Sequence, residues 1–96
     1  MKNILSKLNK AFESRIRLGI MSILSVNESA DFNTMKQLME LTDGNLASHL
    51  KALETLGYIQ SVKQFIGRKP NNQYSITEEG RKSFKEHLNA LEELIK

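Results

Sequence analysis

The sequence predicts a mainly α domain with a small β-hairpin, in the α+β class. Three observations predict this class. Apolar residues recur at helical spacing in several stretches of the chain, a β-branched and aromatic stretch interrupts them late in the sequence, and polar turn residues divide that stretch in two. The chain of 96 residues has room for a single compact domain, over residues 1–96.

The first long helix is predicted from Phe12 to about Val26, where apolar residues recur three or four positions apart. A short lead-in helix precedes it. Residues 30–32 are typical of an extended link, after which Asn33 or Thr34 can cap a second helix of about two turns. Together with the next helix, this segment predicts a helix-turn-helix over about residues 33–57.

The third helix has clear start and stop signals. Thr42 is placed to cap it, and Gly57 lies where a helix end favours a positive φ. The spacing predicts a buried leucine stripe between them, formed by Leu46, Leu50, Leu53 and Leu56.

A hairpin and a last helix complete the chain. Residues 58–66 and 73–76 have strand character, and residues 67–72 form a polar loop between them, so the hairpin covers residues 58–77. Thr77 can cap a long helix over residues 78–96, whose first turn carries two carboxylates.

This order of elements predicts a winged helix-turn-helix, in which the second helix of the pair enters the DNA major groove and the hairpin is the wing. Four motifs carry the comparison: LTDGNL at 41–46, HLKALETLGYI at 49–59, GRKP at 67–70 and YSITEEGR at 74–81. From about Phe12 to Glu92 the chain resembles the small winged-helix transcriptional regulators related to the MarR and ArsR groups. The resemblance implies a sequence-specific regulator that binds double-stranded DNA.

Helix geometry selects candidate DNA-binding residues. If the leucine stripe faces the core, a small polar face points the other way, which suits a helix entering the major groove. Asn45 and Ser48 can read base edges or bind phosphate, and Lys51 can meet phosphate. The candidates on this helix and its cap are Thr42, Gly44, Asn45, Ala47, Ser48, His49 and Lys51. The alternative is that small polar residues only solvate a surface helix.

His49 allows two interpretations. It either packs at the helix margin and donates to a backbone carbonyl, or contacts phosphate or a base, as its resemblance to the Ser-His-Leu run of ArsR-like recognition helices implies. We predict no metal site, because His49 and His87 are far apart in sequence and the chain has no cysteine. The cysteine pairs of metal-sensing ArsR relatives are absent from residues 38–41.

The wing concentrates positive charge. The net charge is +3, and the excess lies in residues 58–77, which hold three cations and no acid. Such a wing can reach the minor groove or the backbone, although a charged hairpin tip can also be merely solvated. The wing candidates are Lys63, Arg68, Lys69, Asn71 and Asn72; Arg15 and Arg17 are further candidates for phosphate contacts or for surface solubility.

Both ends of the chain carry apolar stripes that a monomer would expose. These are Ile4, Leu5 and Leu8 near the start, and Phe84, Leu88, Leu91 and Ile95 on the last helix. We expect a homodimer built from these terminal helices, with recognition helices about 34 Å apart and a pseudo-palindromic operator. Alternatively, the stripes pack on each other within one subunit.

Several other functions are disfavoured. Without cysteine, a signal peptide or an apolar run of membrane-spanning length, we expect a cytoplasmic protein with no membrane partner. The sequence has no phosphate loop and no catalytic constellation, so we predict neither an enzyme nor a cofactor. A winged helix used as a protein-interaction module is the main alternative. An effector pocket lined by Met21, Met35 and Met39 is another, although methionine more often fills a core.

Overall fold

A computed structural model describes residues 4–96. Two 3-10 turns, Leu5–Lys7 and Lys10–Phe12, precede the first α-helix. The helices and strands that follow are α1 (Arg15–Ser25), β1 (Ala30–Asp31), α2 (Phe32–Met39), α3 (Asp43–Thr55), β2 (Ile59–Ile66), β3 (Lys69–Ile76) and α4 (Glu78–Leu94). The predicted α+β class and the order of its main elements are confirmed.

Two helix starts differ from the prediction, because other side chains cap them. α1 starts at Arg15 rather than Phe12, since Ser14 accepts the hydrogen bond of the Arg17 N–H. In α2, the Asp31 carboxylate accepts from the Thr34 N–H at 2.7 Å, so neither Asn33 nor Thr34 is the cap. A charged acceptor at this position also favours the positive end of the helix dipole.

Both ends of α3 agree with the prediction. The Thr42 hydroxyl accepts from the Asn45 N–H at 3.2 Å, and Gly57 has φ +82° just beyond the helix. Of the leucine stripe, the first three members are buried; Leu56 is 49% exposed because it lies after the last helical residue.

The wing is longer than predicted. Its loop has two residues instead of six, because β3 begins at Lys69, directly after Gly67 and Arg68. Gly67 has φ +65°, as the first central residue of a type II′ turn requires. β1 was predicted only as an extended link; it pairs with β3 and gives a three-stranded antiparallel sheet in the order β1-β3-β2.

Pro70 stands in β3 without disturbing the ladder. It pairs with Phe65, next to the Lys69–Ile66 pair that closes the turn. β1 reaches only Tyr74 and Gln73, so Pro70 lies in a part of β3 that has a free edge. Proline is tolerated at such an edge because no partner strand needs its missing N–H.

The core lies between α1, α3, the sheet and the start of α4. Leu24, Met35 and Leu53 are completely buried in it. Within this core the Phe12 ring contacts Tyr58 and Phe84, with ring centroids 5.3 Å apart in each pair. Aromatic rings at this distance add to the free energy that their burial contributes.

The stripe predicted on α4 divides into an inner and an outer part. Phe84 is buried within the subunit, so the prediction that it belongs to a dimer interface is wrong. It shares the inner face with Gly80, His87 and Ala90. The outer part, formed by Leu88, Leu91, Leu94 and Ile95 toward the end of the helix, is exposed.

Candidate nucleic-acid interface

The outward face of α3 is small, polar and open. The cap Thr42 and the helix residues Gly44, Asn45, Ala47, Ser48 and Lys51 are all exposed. The opposite face, which carries Leu46, Leu50 and Leu53, is buried. The predicted set on α3 therefore lies on one continuous surface, with the exception of His49.

Other side chains engage both acidic side chains of α3. Lys36 of α2 pairs with Asp43 at 2.7 Å. At the other end of the helix, the Ser61 hydroxyl of β2 donates to Glu54 at 2.7 Å. The two acidic side chains of α3 thus lie at the ends of the helix, where a cation contacts one and a hydroxyl group contacts the other. In the middle of the outward face, Lys51 is the one charged side chain.

His49 is half-buried and takes part in a contact that the sequence did not predict. Its Nδ1 accepts a hydrogen bond from Arg17 Nε at 3.0 Å. The pair joins α1 to α3, so both His49 and Arg17 help to hold α3 in place.

The wing presents an acid-free, cationic surface. Lys63, Arg68, Lys69 and Asn72 are exposed, and no Asp or Glu occurs between Glu54 and Glu78. Lys63 and Asn72 line a shallow depression together with Asp43 at the start of α3. The cationic wing and the start of α3 therefore border the same surface.

Asn71 differs from the other wing candidates, because its side chain is tied to the body of the domain. Its amide Nδ2 donates to Asp31 Oδ2 at 3.3 Å, and its Oδ1 accepts from Gln73 Nε2 at 2.8 Å. The hydrogen bonds from Thr34 and Asn71 to the Asp31 carboxylate hold its pKa below the usual value. One carboxylate thus caps α2 and positions the wing.

Three apolar side chains of β2 are exposed, which the sequence did not predict. Val62, Phe65 and Ile66 are all more than half exposed. Their β-branched and aromatic character was interpreted as strand propensity alone. The signal that could have found them is the imperfect alternation of residues 58–66, because a strand with one buried face alternates between apolar and polar residues.

The N-terminal segment is fastened to α4. The Asn9 N–H donates to Nδ1 of the buried His87 at 2.9 Å, and the Asn9 side chain donates to the Tyr58 hydroxyl at 3.0 Å. Burial lowers the pKa of His87, and the negative charge of Glu13 opposes this effect. The predicted alternative, packing of the two termini within one subunit, therefore holds for part of the stripe: Leu8 and Ile4 are half-buried, whereas Leu5 is 73% exposed.

The methionines do not form a common pocket. Met21 and Met35 are completely buried in the core. Met39 instead lines an open depression of about 560 Å³ beside Gly19 and Leu41. Within residues 4–96, no cluster of three His, Asp or Glu side chains could hold a metal ion, and none of the helices there is long and apolar enough to cross a bilayer.

Comparison with known proteins finds chains that are similar to this one over most of their length. An uncharacterized protein of Methanocaldococcus jannaschii is 37% identical over 87 residues, which cover 91% of this chain and 95% of that protein. The structure of a transcriptional regulator homologue from Pyrococcus horikoshii OT3 matches 99% of this chain and 95% of its own, with a TM-score of 0.88 and 30% identity. A putative transcriptional regulator from Salmonella typhimurium matches 90% of this chain and 75% of its own, with a TM-score of 0.72 and 28% identity.

The family comparison covers the whole helix-turn-helix, the whole wing and nearly all of the last helix. The family model described as "winged helix DNA-binding domain" matches residues 16–95. This range contains every candidate residue on α3 and on the wing. The predicted resemblance to small winged-helix regulators is confirmed, and the chain belongs to the winged helix DNA-binding domain family.

Proposed function

We propose that the protein is a homodimeric, sequence-specific transcriptional regulator that binds double-stranded DNA. One observation carries the proposal: the open polar face of α3 borders an acid-free cationic wing. A helix with small polar side chains fits a major groove about 12 Å wide. The wing would then contact the neighbouring minor groove or the phosphate backbone.

The residues of α3 divide into two roles in this proposal. Asn45 and Ser48 lie in the first half of the helix, where recognition helices contact base edges. Lys51 lies one turn further on and meets phosphate. Gly44 allows the backbone at the helix start to approach a phosphate, since the free N–H groups there favour an anion.

The outer apolar residues of α4 and the N-terminal segment support the dimer. Lys7 pairs with Glu93 at 3.8 Å, which places Leu5 at the same end of the molecule as Leu91 and Ile95. Leu5 and Ile95 are 73% and 85% exposed. Exposed apolar side chains gathered at one end of the molecule support an interface there. The members of the proposed interface are Ile4, Leu5, Leu8, Leu88, Leu91 and Ile95.

Selection of genomic duplex fragments by the purified protein, followed by sequencing, tests the function. We expect enrichment of fragments with two related half-sites about one helical turn apart. The affinity should fall as salt rises, because bound cations displace counterions from the phosphates. Enrichment of no fragment at low or moderate salt would contradict the proposal.

The wing is tested by Arg68→Ala combined with Lys69→Ala. If both side chains meet phosphate, the slope of log K against log salt should become shallower by about 2 per subunit. Lys82→Ala with Lys85→Ala is the matched control, since it removes two exposed cations from α4. An equal loss of slope in both double variants would show that overall charge, and not the wing, determines binding.

A further inference from the structure

The end of the wing carries two large apolar side chains that no other part of residues 4–96 covers. Phe65 is 66% exposed and Ile66 is 63% exposed, and residues 61–70 are exposed throughout. Leaving such side chains in water gives up the free energy that their burial would release. A phenyl ring adds nothing to an electrostatic contact between cations and DNA. This surface therefore indicates a partner that has an apolar region of its own.

The strand register places Phe65 on the side of the wing that faces the recognition helix. Phe65 lies opposite Pro70, and the two side chains share one face of the ribbon. Lys63 is on the same face, because side chains two positions apart on a strand point the same way. Lys63 and Pro70 both line the depression that Asp43 of α3 borders. DNA that lies along α3 therefore meets the Phe65 face.

The charge around this apolar end selects the kind of partner. Arg68 and Lys69 follow it after Gly67, and the nearest acids in sequence are Glu54 and Glu78. Asp43, which borders the depression, is paired with Lys36. An apolar side chain framed by cations fits a groove with anionic walls and an apolar interior. The minor groove of a duplex has phosphates along both walls and stacked bases between them. Proteins that bind there insert Phe, Ile or Pro side chains between base steps.

We propose that Phe65, supported by Pro70, is a wedge that inserts between neighbouring base pairs in the minor groove and bends the duplex. This inference rests on the proposed function, since it requires duplex binding, and adds a deformation of the DNA to it. Kinks of this type measure about 20–90°. Because TA and CA steps unstack easily, the wedge favours such a step beneath each wing without contacting a base edge.

The test uses the full chain and an enriched duplex of about 30 base pairs, a length over which bending is measurable. A donor and an acceptor fluorophore at the two ends report the end-to-end distance, and 2-aminopurine beneath the wing reports unstacking. The variant is Phe65→Ser. Val62→Ser is the matched control, because Val62 is a 55% exposed apolar residue on the same strand, further from the turn. Thermal unfolding verifies that both variants fold.

We expect the parent and Val62→Ser to shorten the end-to-end distance and to brighten 2-aminopurine. Phe65→Ser should bind about tenfold or more weakly, retain the salt slope of the parent, and lose both the bend and the fluorescence increase. If Phe65→Ser bends the duplex as the parent does, the wedge is overturned while the proposed function stands. If the parent binds no duplex, both fail.

A membrane surface is the competing partner, since anionic lipid also attracts apolar side chains framed by cations. Vesicles of phosphatidylserine and phosphatidylcholine provide the comparison. Binding of the parent to these vesicles, lost in Phe65→Ser while DNA bending is unchanged, would replace the wedge by a lipid contact. Absence of vesicle binding together with loss of bending supports the wedge.

Discussion

Gly80, in the first turn of α4, lies against the backbone of Tyr58, which links α3 to β2. The Thr77 N–H donates to the Tyr58 carbonyl at 3.0 Å, and the Thr77 hydroxyl donates to the Gly57 carbonyl at 2.6 Å. These bonds bring the Tyr58 carbonyl against the first turn of α4. A Cβ on Gly80 would overlap this oxygen. Glycine is required here by close approach and not by its backbone freedom.

Gly80→Ala should therefore lower the free energy of unfolding by roughly 1–3 kcal/mol or more, since backbone atoms must shift to admit the methyl group. Urea unfolding measures the change. Gly44→Ala is the control, because no atom lies within 4 Å of a Cβ there. That substitution should leave stability equal or higher by up to about 1 kcal/mol, as alanine favours a helix. Equal stability of both variants would contradict this packing.

His87 is the one buried polar or charged side chain in residues 4–96. Its Nδ1 accepts the Asn9 N–H, and its ring lies edge-on to Phe12 with centroids 5.4 Å apart. A neutral imidazole satisfies this environment, whereas protonation would remove the acceptor and place a charge in the core. The attachment of the N-terminal segment to α4 therefore depends on pH.

The pKa of His87 lies below its ordinary value of 6.5 because of burial. Between the two values the unfolded chain binds more protons than the folded chain, so stability increases with pH in that window. We expect full stability above about pH 6.5 and a decline as the pH falls below it. Urea unfolding across this range measures the slope. His87→Gln can still accept from Asn9 but does not titrate, and should reduce the slope; an unchanged slope would refute the assignment.

At the scale of elements, the helices were easier to predict than the wing. Each helix has one buried face, so the spacing of its apolar residues reports its conformation. The part of the hairpin beyond Ile59 has no buried face on β2. Without a buried face there is no alternation to fix its length or register, and Pro70 and Asn71 were interpreted as loop residues.

Asp31 connects the wing to α2, and its charge is testable by itself. At pH 7, Asp31→Ala should lower the free energy of unfolding by about 1 kcal/mol through loss of the cap. Asn is an equally good cap, so Asp31→Asn should cost less than Asp31→Ala, the remaining loss being the hydrogen bond from Asn71 and the charge of the carboxylate.

The lowered pKa of Asp31 gives a contribution that is complete above its ordinary value of 3.8 and is lost as the pH falls through the folded-state pKa. Acid unfolding should therefore be less pH-dependent in Asp31→Asn than in the parent. Equal acid profiles would mean that the carboxylate contributes nothing as a charge.

At the scale of the whole molecule, the N-terminal segment and the end of α4 form the surface that the proposed dimer uses. The described residues extend over 54 × 25 × 21 Å, and the inner face of α4 already packs on Phe12. The leucines of α4 that stay exposed, Leu88, Leu91 and Leu94, are therefore available to another partner. In the proposed dimer that partner is the same surface of a second subunit, as twofold symmetry requires.

Leu91→Glu combined with Ile95→Glu should convert the dimer to a monomer, because each substitution buries a carboxylate that has no partner. We expect the dimer dissociation constant to rise by about 100-fold or more, as measured by sedimentation. Leu38→Glu on α2 replaces a 66% exposed leucine outside the proposed interface and is the control. A parent that sediments as a monomer at tens of micromolar would contradict the dimer.

The sequence by itself determined the helical framework and the general nature of the interface. Thr42, Gly57 and the leucines of α3 act locally, through capping, positive φ and helical spacing, and local effects can be identified in a single chain. The acid-free charge of the wing was equally visible, because composition does not depend on folding.

Only the tertiary structure decided the contacts between distant parts of the chain. It paired β1 with β3, placed His49 against Arg17, tied Asn71 to Asp31, and divided the stripe of α4 between the core and the surface. Each of these depends on which residues the fold brings together across many positions in sequence. Neither propensity nor periodicity encodes that information, because both describe only neighbours along the chain.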